Sequence, residues 1–264
     1  MKGVILAGGK GTRLRPLTNV ANKHLLPIYN RPMVEYPLDT LKSLGITDIL
    51  IVTGGEYIGR FAELLGDGSK YGVMLTYRVQ ESANGIAGAL ALAEGFAGGE
   101  DITVILGDNI FDNGAIPKEV ILPAGMDVNC AFVYGKTIDD PTRFGVPAFH
   151  RDGRIKRIDE KPKDPASRYA ITGLYRYPST VFNMIRTLEP SARGELEITD
   201  VNNAYIEQGK LHMVELGGFW SDAGTIDSLL ECANWAKQKW EDKLNEPVPL
   251  TDYSKDEQYE RKSN

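Results

Sequence analysis

The sequence predicts an α/β fold built on a mostly parallel, mixed central sheet, on three observations. Short runs rich in valine, isoleucine and leucine alternate with helix-length segments over the first 107 residues, the pattern of strand–helix–strand units joined by right-handed crossovers. Those helix-length segments close on glycine, the usual helix stop. Beyond Gly107 the strands lengthen and a hairpin signal appears, so the sheet is expected to become mixed in the second half.

The elements follow in chain order. Lys2 to Leu6, Asp48 to Val52, Val73 to Tyr77 and Ile102 to Leu106 are short runs rich in β-branched residues and leucine and read as buried strands. Met33 to Ser43, closed by Gly45, and Glu56 to Leu65, closed by Gly66 with an Asp-Gly turn after it, read as helices. Strands are then expected at Val128 to Tyr134, Val146 to His150 and Arg154 to Asp159, the last two joined through Arg151-Asp152-Gly153. A strand at Tyr169 to Tyr177 precedes helices at Ser179 to Thr187 and Thr199 to Gln208 and a strand at Leu211 to Leu216. Alternating Tyr169, Tyr175 and Tyr177 on one strand are expected to form a packed face. The helix Thr225 to Trp240 carries Ile226, Leu229, Ala233, Ala236 and Trp240 at helical spacing, and residues 241–264 form a polar tail. With neither repeat nor linker, a single domain over residues 1–240 is expected.

Composition narrows the functional class. With 42% hydrophobic and 25% charged residues the chain sits among ordinary globular proteins, and no apolar run approaches the ~20 residues of a membrane helix. A net charge of −6 argues against a nucleic-acid binder, whose footprint is a basic stripe. The first residues have too short an apolar run for a signal peptide, and Cys130 and Cys232 sit in a strand and an amphipathic helix, so buried thiols and a cytoplasmic address are expected. Any anionic ligand must then be met locally, by cations placed beside glycines.

One such place follows the first strand. Leu6-Ala7-Gly8-Gly9-Lys10-Gly11-Thr12-Arg13 sets three glycines at the carboxyl end of a sheet strand, the usual ligand edge of α/β proteins. Glycines there allow positive φ and close backbone approach to phosphate, and Arg13 adds a guanidinium fork. Neither Gly9-Lys10 nor Gly209-Lys210 satisfies the P-loop spacing, and the dinucleotide fingerprint is absent. By itself the segment suits a phosphate cradle or a plain tight turn.

The string LAGGKGTRLRPLT followed by NKHLLPIYNRPMVEYPL resembles the opening signature of sugar-1-phosphate nucleotidylyltransferases. LGDNIF, DDPTRFGV, DEKPKDPASRYAITGLY, PSARGELEITDVNNAYIEQG and WSDAGT resemble, in order, the later blocks of the thymidylyl- and glucose-1-phosphate-specific branch, from Met1 to about Leu230. ARGELEITD is the most specific of them. The resemblance implies a Rossmann-like three-layer sandwich of the nucleotide-diphospho-sugar transferase type. Residues 1–107 would form a nucleotide-binding half, 108–224 a sugar-phosphate-binding half and 225–240 a C-terminal helix. The implied reaction joins a thymidylyl group from dTTP, or a uridylyl group from UTP, to glucose 1-phosphate with Mg²⁺ as cofactor, in a homo-oligomer. A non-catalytic sugar-nucleotide sensor is the alternative from another class.

The same resemblance assigns residues. Leu6, Ala7, Gly8, Gly9, Gly11 and Thr12 would cradle the nucleotide, with Arg13 and Lys23 on the triphosphate. Gln80 would pair with a pyrimidine edge, which an amide can do as both donor and acceptor, while Gly85 lets the base approach. Asp108 and Asp222 would hold Mg²⁺, Lys161 the sugar phosphate, and Asn109, Gly145, Glu160, Gly173 and Tyr175 the sugar side. Plain alternatives are a turn or cap for Asp108, an N-cap for Asp222 and solvated surface cations for the lysines. Three positions depart from the common pattern: His24 and Gly88 stand where glutamines are usual, and Ala223 where a threonine is usual. His24 is expected to act as a neutral hydrogen-bonding group, since the chemistry needs no proton shuttle.

Overall fold

The computed structural model describes residues 1–117 and 129–245. Strand β1 (Lys2–Ala7) leads through the glycine turn to a small hairpin of β2 (Pro27–Ile28) and β3 (Arg31–Pro32), then to α1 (Glu35–Ser43). There follow β4 (Asp48–Gly54), α2 (Ile58–Leu65), β5 (Met74–Gln80), α3 (Ile86–Ala91), α4 (Glu94–Ala97), β6 (Ile102–Leu106) and β7 (Asn109–Phe111). The second half holds β8 (Ala131–Thr137), β9 (Gly145–Phe149), β10 (Ile155–Glu160), β11 (Tyr169–Tyr177), α5 (Val181–Ile185) and α6 (Ile198–Glu207). It closes with β12 (Leu211–Glu215), β13 (Trp220–Asp222) and α7 (Ile226–Asn245).

The central sheet runs β10-β9-β11-β6-β1-β4-β5, with β8 also on β11 and β12 beyond it. Neighbours β6, β1, β4 and β5 are all parallel, whereas β11 enters antiparallel to β6, giving the mixed second half. Because Leu6 pairs with both Val52 and Leu106, the parallel strands end level, and the loops after β1 and β6 meet at one edge.

Side-chain alternation sends each strand's residues to two cores. Val4, Leu6, Leu50, Val52, Val104, Tyr175 and Tyr177 pack on one face with α3, α5 and α6; Ile5, Ala7, Ile49, Ile51, Ile105 and Leu174 pack on the other with α1 and α2. A sheet between two helical layers is the three-layer sandwich expected, and burial of each such aliphatic side chain contributes about 1.5–3 kcal/mol. Cys232 and Ala236 of α7 join a third cluster with Ile28 and Met33 of the hairpin region, and Phe219 stacks on Trp235 at 4.7 Å. Both cysteines are buried.

Several boundaries differ from expectation. The strand expected from Val128 begins at Ala131, and Val128 lies outside the described residues. Helix α7 continues to Asn245, into the segment expected as polar tail. It does so because the Lys237–Glu241 pair at 3.7 Å and the Gln238 to Asp242 hydrogen bond at 2.8 Å support turns that no core covers. Residues 246–264 lie outside the described residues. The short ladders β2–β3 and β7–β13 and helices α3 and α4 are additions to the expected elements. The tyrosine face is packed: Tyr175 stacks on Tyr177 at 5.8 Å and Tyr177 on Tyr205 at 5.9 Å, while Tyr169 meets Phe149 instead.

Tyr177 donates its hydroxyl to Asn202 Oδ1 at 2.6 Å, both groups buried. Tyr177→Phe leaves that oxygen without its donor, and is expected to lower the unfolding free energy by about 1–2 kcal/mol. A urea denaturation midpoint that falls at unchanged slope reads the effect; an unmoved midpoint contradicts it.

Candidate active site

At the level strand ends the chain leaves Ala7, turns through Gly8 to Gly11 and makes one helical turn at Thr12–Leu14. A Cβ on Gly8 would lie 2.4 Å from Gln80 Oε1, so only glycine lets the last residue of β5 reach the turn. Leu6, Gly8, Gly9, Arg13, Lys23, Gln80, Gly85 and Asp108 line a cavity of about 330 Å³ at this edge. Ala7, Gly11 and Thr12 are not among its lining residues; the Ala7 carbonyl accepts from Thr53 at 3.1 Å, and that of Gly11, at φ 60°, accepts from Thr18 at 2.7 Å.

The second half closes the same cavity. Asn109, Gly145, Glu160, Lys161, Gly173, Tyr175 and Asp222 all line it. Lys161 adopts φ 46°, a left-handed conformation that costs energy outside glycine and is tolerated where the surroundings impose it. Its Nζ pairs with Glu160 at 2.8 Å, and the other Glu160 oxygen accepts from Thr199 at 2.6 Å.

The two halves are joined by the antiparallel pair β7–β13, which sets Asp222 opposite Asn109, next in chain to Asp108. Asn109 is buried; its Oδ1 accepts from the Gly173 N–H and from Trp220 Nε1, each at 2.8 Å, and its Nδ2 donates to Asp108 Oδ1 at 3.1 Å. Asp108 is further held by an ion pair with Lys23, and Asp222 by Arg143 at 2.6 Å. The following helix is capped by Thr225, whose Oγ1 accepts from the Ser228 N–H at 3.2 Å, so Asp222 is not its N-cap.

Electrostatics separate the two carboxylates. Burial opposes the charge of Asp108, but Lys23, His24 and the hydrogen bonds outweigh it and hold the carboxyl well below the usual range. Asp222 is pushed up to about 6 by burial and then by the charge of Asp108, against the relief from Arg143, Arg13 and Lys23. Two carboxylates lining one cavity would suit a hard cation that completes its shell with phosphate oxygens and water. Among the described residues no cluster of three or more acidic, histidine or cysteine side chains could hold a metal unaided. The donor set therefore fits a cation brought with its phosphates. His24 is buried and shifted down to about 3, chiefly by desolvation and then by Lys23, so it is neutral, with Nδ1 at 2.8 Å from Asn22 Oδ1.

Several cavity residues were not singled out from the sequence. Arg193 pairs with Glu197 at 2.8 Å and reaches Glu160 at 3.4 Å; Arg143, Glu197, Thr199 and Asn202 line the cavity as well. Four of these lie in or just after ARGELEITD, the block recognised as most specific, which was the available signal.

Comparison with known proteins places this geometry in a class. The chain belongs to the nucleotidyl transferase family, whose model matches residues 2–239. A glucose-1-phosphate thymidylyltransferase of Neisseria meningitidis is 45% identical over 239 residues, 90% of this chain and 83% of the relative. That of Mycolicibacterium smegmatis is 42% identical over 239 residues, 90% and 82% of the two chains. The crystal structure of a Bacillus anthracis protein described as a candidate glucose-1-phosphate thymidylyltransferase, in complex with sucrose, superposes with TM-score 0.84 at 48% identity, covering 90% of this chain and 95% of that one. A UDP-glucose pyrophosphorylase bound to UDP-glucose shares the fold, at TM-score 0.79 and 23% identity over 90% and 98% of the chains. No helix among the described residues is long and apolar enough to cross a membrane.

The raised Asp222 pKa has a signed consequence. Its carboxyl takes up a proton near pH 6 when folded but near 3.8 when unfolded, so the stability present below 3.8 is lost as pH rises through about 6. In the absence of divalent cations, Asp222→Asn is expected to be more stable than wild type by about 1–3 kcal/mol above pH 6, with the gain vanishing toward pH 4. Thermal unfolding across that range checks it; a pH-independent difference contradicts it.

Proposed function

We propose that this chain transfers a thymidylyl group from dTTP to glucose 1-phosphate, giving dTDP-glucose and pyrophosphate. The observation that carries the reading is that Arg13 and Lys23 of the glycine-turn half, Lys161 and Arg193 of the other half, and Asp108 and Asp222 all line one cavity. Cations from both halves beside a carboxylate pair suit the joining of two phosphate-bearing substrates. The named relatives support the choice of thymidylyl and glucose.

In this reading an oxygen of the sugar phosphate attacks the α-phosphorus of dTTP. One P–O bond forms, the α–β bridging P–O bond breaks, and its electron pair leaves on pyrophosphate. The attacking oxygen is already anionic, so no general base is required, in keeping with the neutral, buried His24. Arg13 and Lys23 hold the triphosphate, and Lys161 and Arg193 bring the sugar phosphate to it. Glu160, fixed by Thr199, accepts hydroxyls of the sugar, and Gln80 and Gly85 meet the base. Bound between Asp108 and Asp222, Mg²⁺ would supply charge neutralisation at the phosphates. Two buried thiols suit a reducing compartment, the cytoplasm.

The test supplies purified protein and Mg²⁺ with each nucleoside triphosphate and a panel of sugar 1-phosphates and measures pyrophosphate release. Release is expected to be greatest with dTTP and glucose 1-phosphate; none with any pair contradicts the reading. Asp222→Asn is expected to lower turnover by ~100-fold or more through lost charge stabilisation. Near-normal turnover at limiting Mg²⁺ removes Asp222 from the metal site.

A further inference from the structure

Arg143 lines the cavity from a turn that is fixed along its main chain. Asp140 Oδ1 accepts from the Thr142 N–H at 3.0 Å and from its hydroxyl at 2.6 Å, and the Phe144 N–H donates to the Pro141 carbonyl at 3.0 Å. The Phe144 carbonyl accepts from the Lys161 N–H at 3.0 Å, so the turn is tied to the Lys161 side of the cavity. The Arg143 side chain is held far more loosely. Among the described residues it makes one hydrogen bond, from Nη2 to Asp222 Oδ2 at 2.6 Å. Its guanidinium lies over the Phe144 ring at 5.3 Å, and its Nε is buried with no partner. A guanidinium carries five N–H donors, so most of this one is unspent.

The same Asp222 oxygen also borders the glycine-turn side. A Cβ on Gly224 would lie 2.9 Å from Asp222 Oδ2 and 3.2 Å from Arg13 Nη2, so Arg13 and Arg143 both stand beside one carboxylate. We propose that Arg143 is a counter-ion that stands in for the divalent cation at Asp222 and becomes a further triphosphate-binding residue when the cation arrives.

The exchange follows from charge. Without a cation the largely buried Asp222 carboxylate needs a positive partner, and Arg143 supplies it. A divalent cation on Asp222 repels the guanidinium, while the phosphate oxygens brought with that cation offer it a planar, bidentate match. The Nε–H that is buried without a partner then gains one. Cation and triphosphate binding are thereby coupled through one side chain, and each strengthens the other by the same factor. This rests on the reading in which Arg13 and Lys23 hold the triphosphate.

The test is calorimetric titration of the purified full chain and its variants with dTTP at pH 8, where Asp222 is ionised, in excess Mg²⁺ and in EDTA. Wild type is expected to bind more tightly with Mg²⁺. Arg143→Gln is expected to lose about tenfold or more of that affinity with Mg²⁺ and little in EDTA. Asp222→Asn frees Arg143, so in EDTA it is expected to bind dTTP more tightly than wild type, and the Arg143→Gln, Asp222→Asn double variant to lose that gain. If the gain survives in the double variant, it comes from removing a repelling carboxylate alone, and the exchange is overturned. Arg143→Lys keeps the charge without the fork and is expected to bind between wild type and Arg143→Gln; binding as weak as that of Arg143→Gln contradicts a counter-ion. An Arg143→Gln that loses equally in Mg²⁺ and in EDTA, or in neither, overturns the exchange while the proposed function stands. Wild type that binds dTTP no better with Mg²⁺ overturns it as well, and wild type that binds none under either condition overturns both readings.

Discussion

The site depends on one short antiparallel pairing, Trp220–Asp222 against Asn109–Phe111. It joins segments far apart in the chain and sets Asp222 opposite Asn109, beside Asp108. Asn109 converts that backbone register into side-chain geometry. Its one amide binds β11 through Gly173, β13 through Trp220 and the carboxylate of Asp108. The Gly173 position must be glycine for this, since a Cβ would lie 2.7 Å from the Asn109 amide carbon. Asn109, expected from the resemblance to serve the sugar side, thus has its oxygen fully occupied by the protein and retains only Nδ2 capacity for a ligand.

Charge explains how a chain of net −6 meets anions. Arg143, Lys161 and Arg193 are each paired with a cavity carboxylate, as Lys23 is with Asp108. Partly buried pairs of this kind contribute little net stability, because desolvation offsets their attraction. In the proposed reaction partners would be exchanged: phosphate oxygens would take the cations while a divalent ion would take the carboxylates. The shifts of Asp108 and Asp222 are opposite because Lys23, His24 and hydrogen bonds outweigh burial at the first, whereas burial and the charge of Asp108 prevail at the second.

Much of the fold was legible because parallel strands buried on both faces read as runs dominated by valine, isoleucine and leucine, as Lys2 to Leu6 and Ile102 to Leu106 do. The three-residue strands of the β7–β13 pair carry no periodicity at that length, so the feature that assembles the site was the least visible. Helix α3, rich in alanine and glycine, lacks an amphipathic pattern for the same practical reason. The residues on the glycine turn and the two aspartates were legible as motifs. Arg143 and Arg193 were not, because a cation near acidic neighbours in sequence reads as solvated until the fold turns it inward. Gly88 was legible only as a departure; in the structure a Cβ there would come within 2.4 Å of the Asn84 side chain.

In the proposed reaction the β7–β13 ladder makes Asp108 and Asp222 one cation site. Electron paramagnetic resonance titration with Mn²⁺, in the presence of a nucleoside triphosphate, measures it in wild type, Asp108→Asn, Asp222→Asn and the double variant. The account requires one tightly held ion in wild type, weakened by either substitution, with the double variant little worse than each single one because both act on the same ion. An ion held equally well after Asp222→Asn, or losses that simply add, would contradict it.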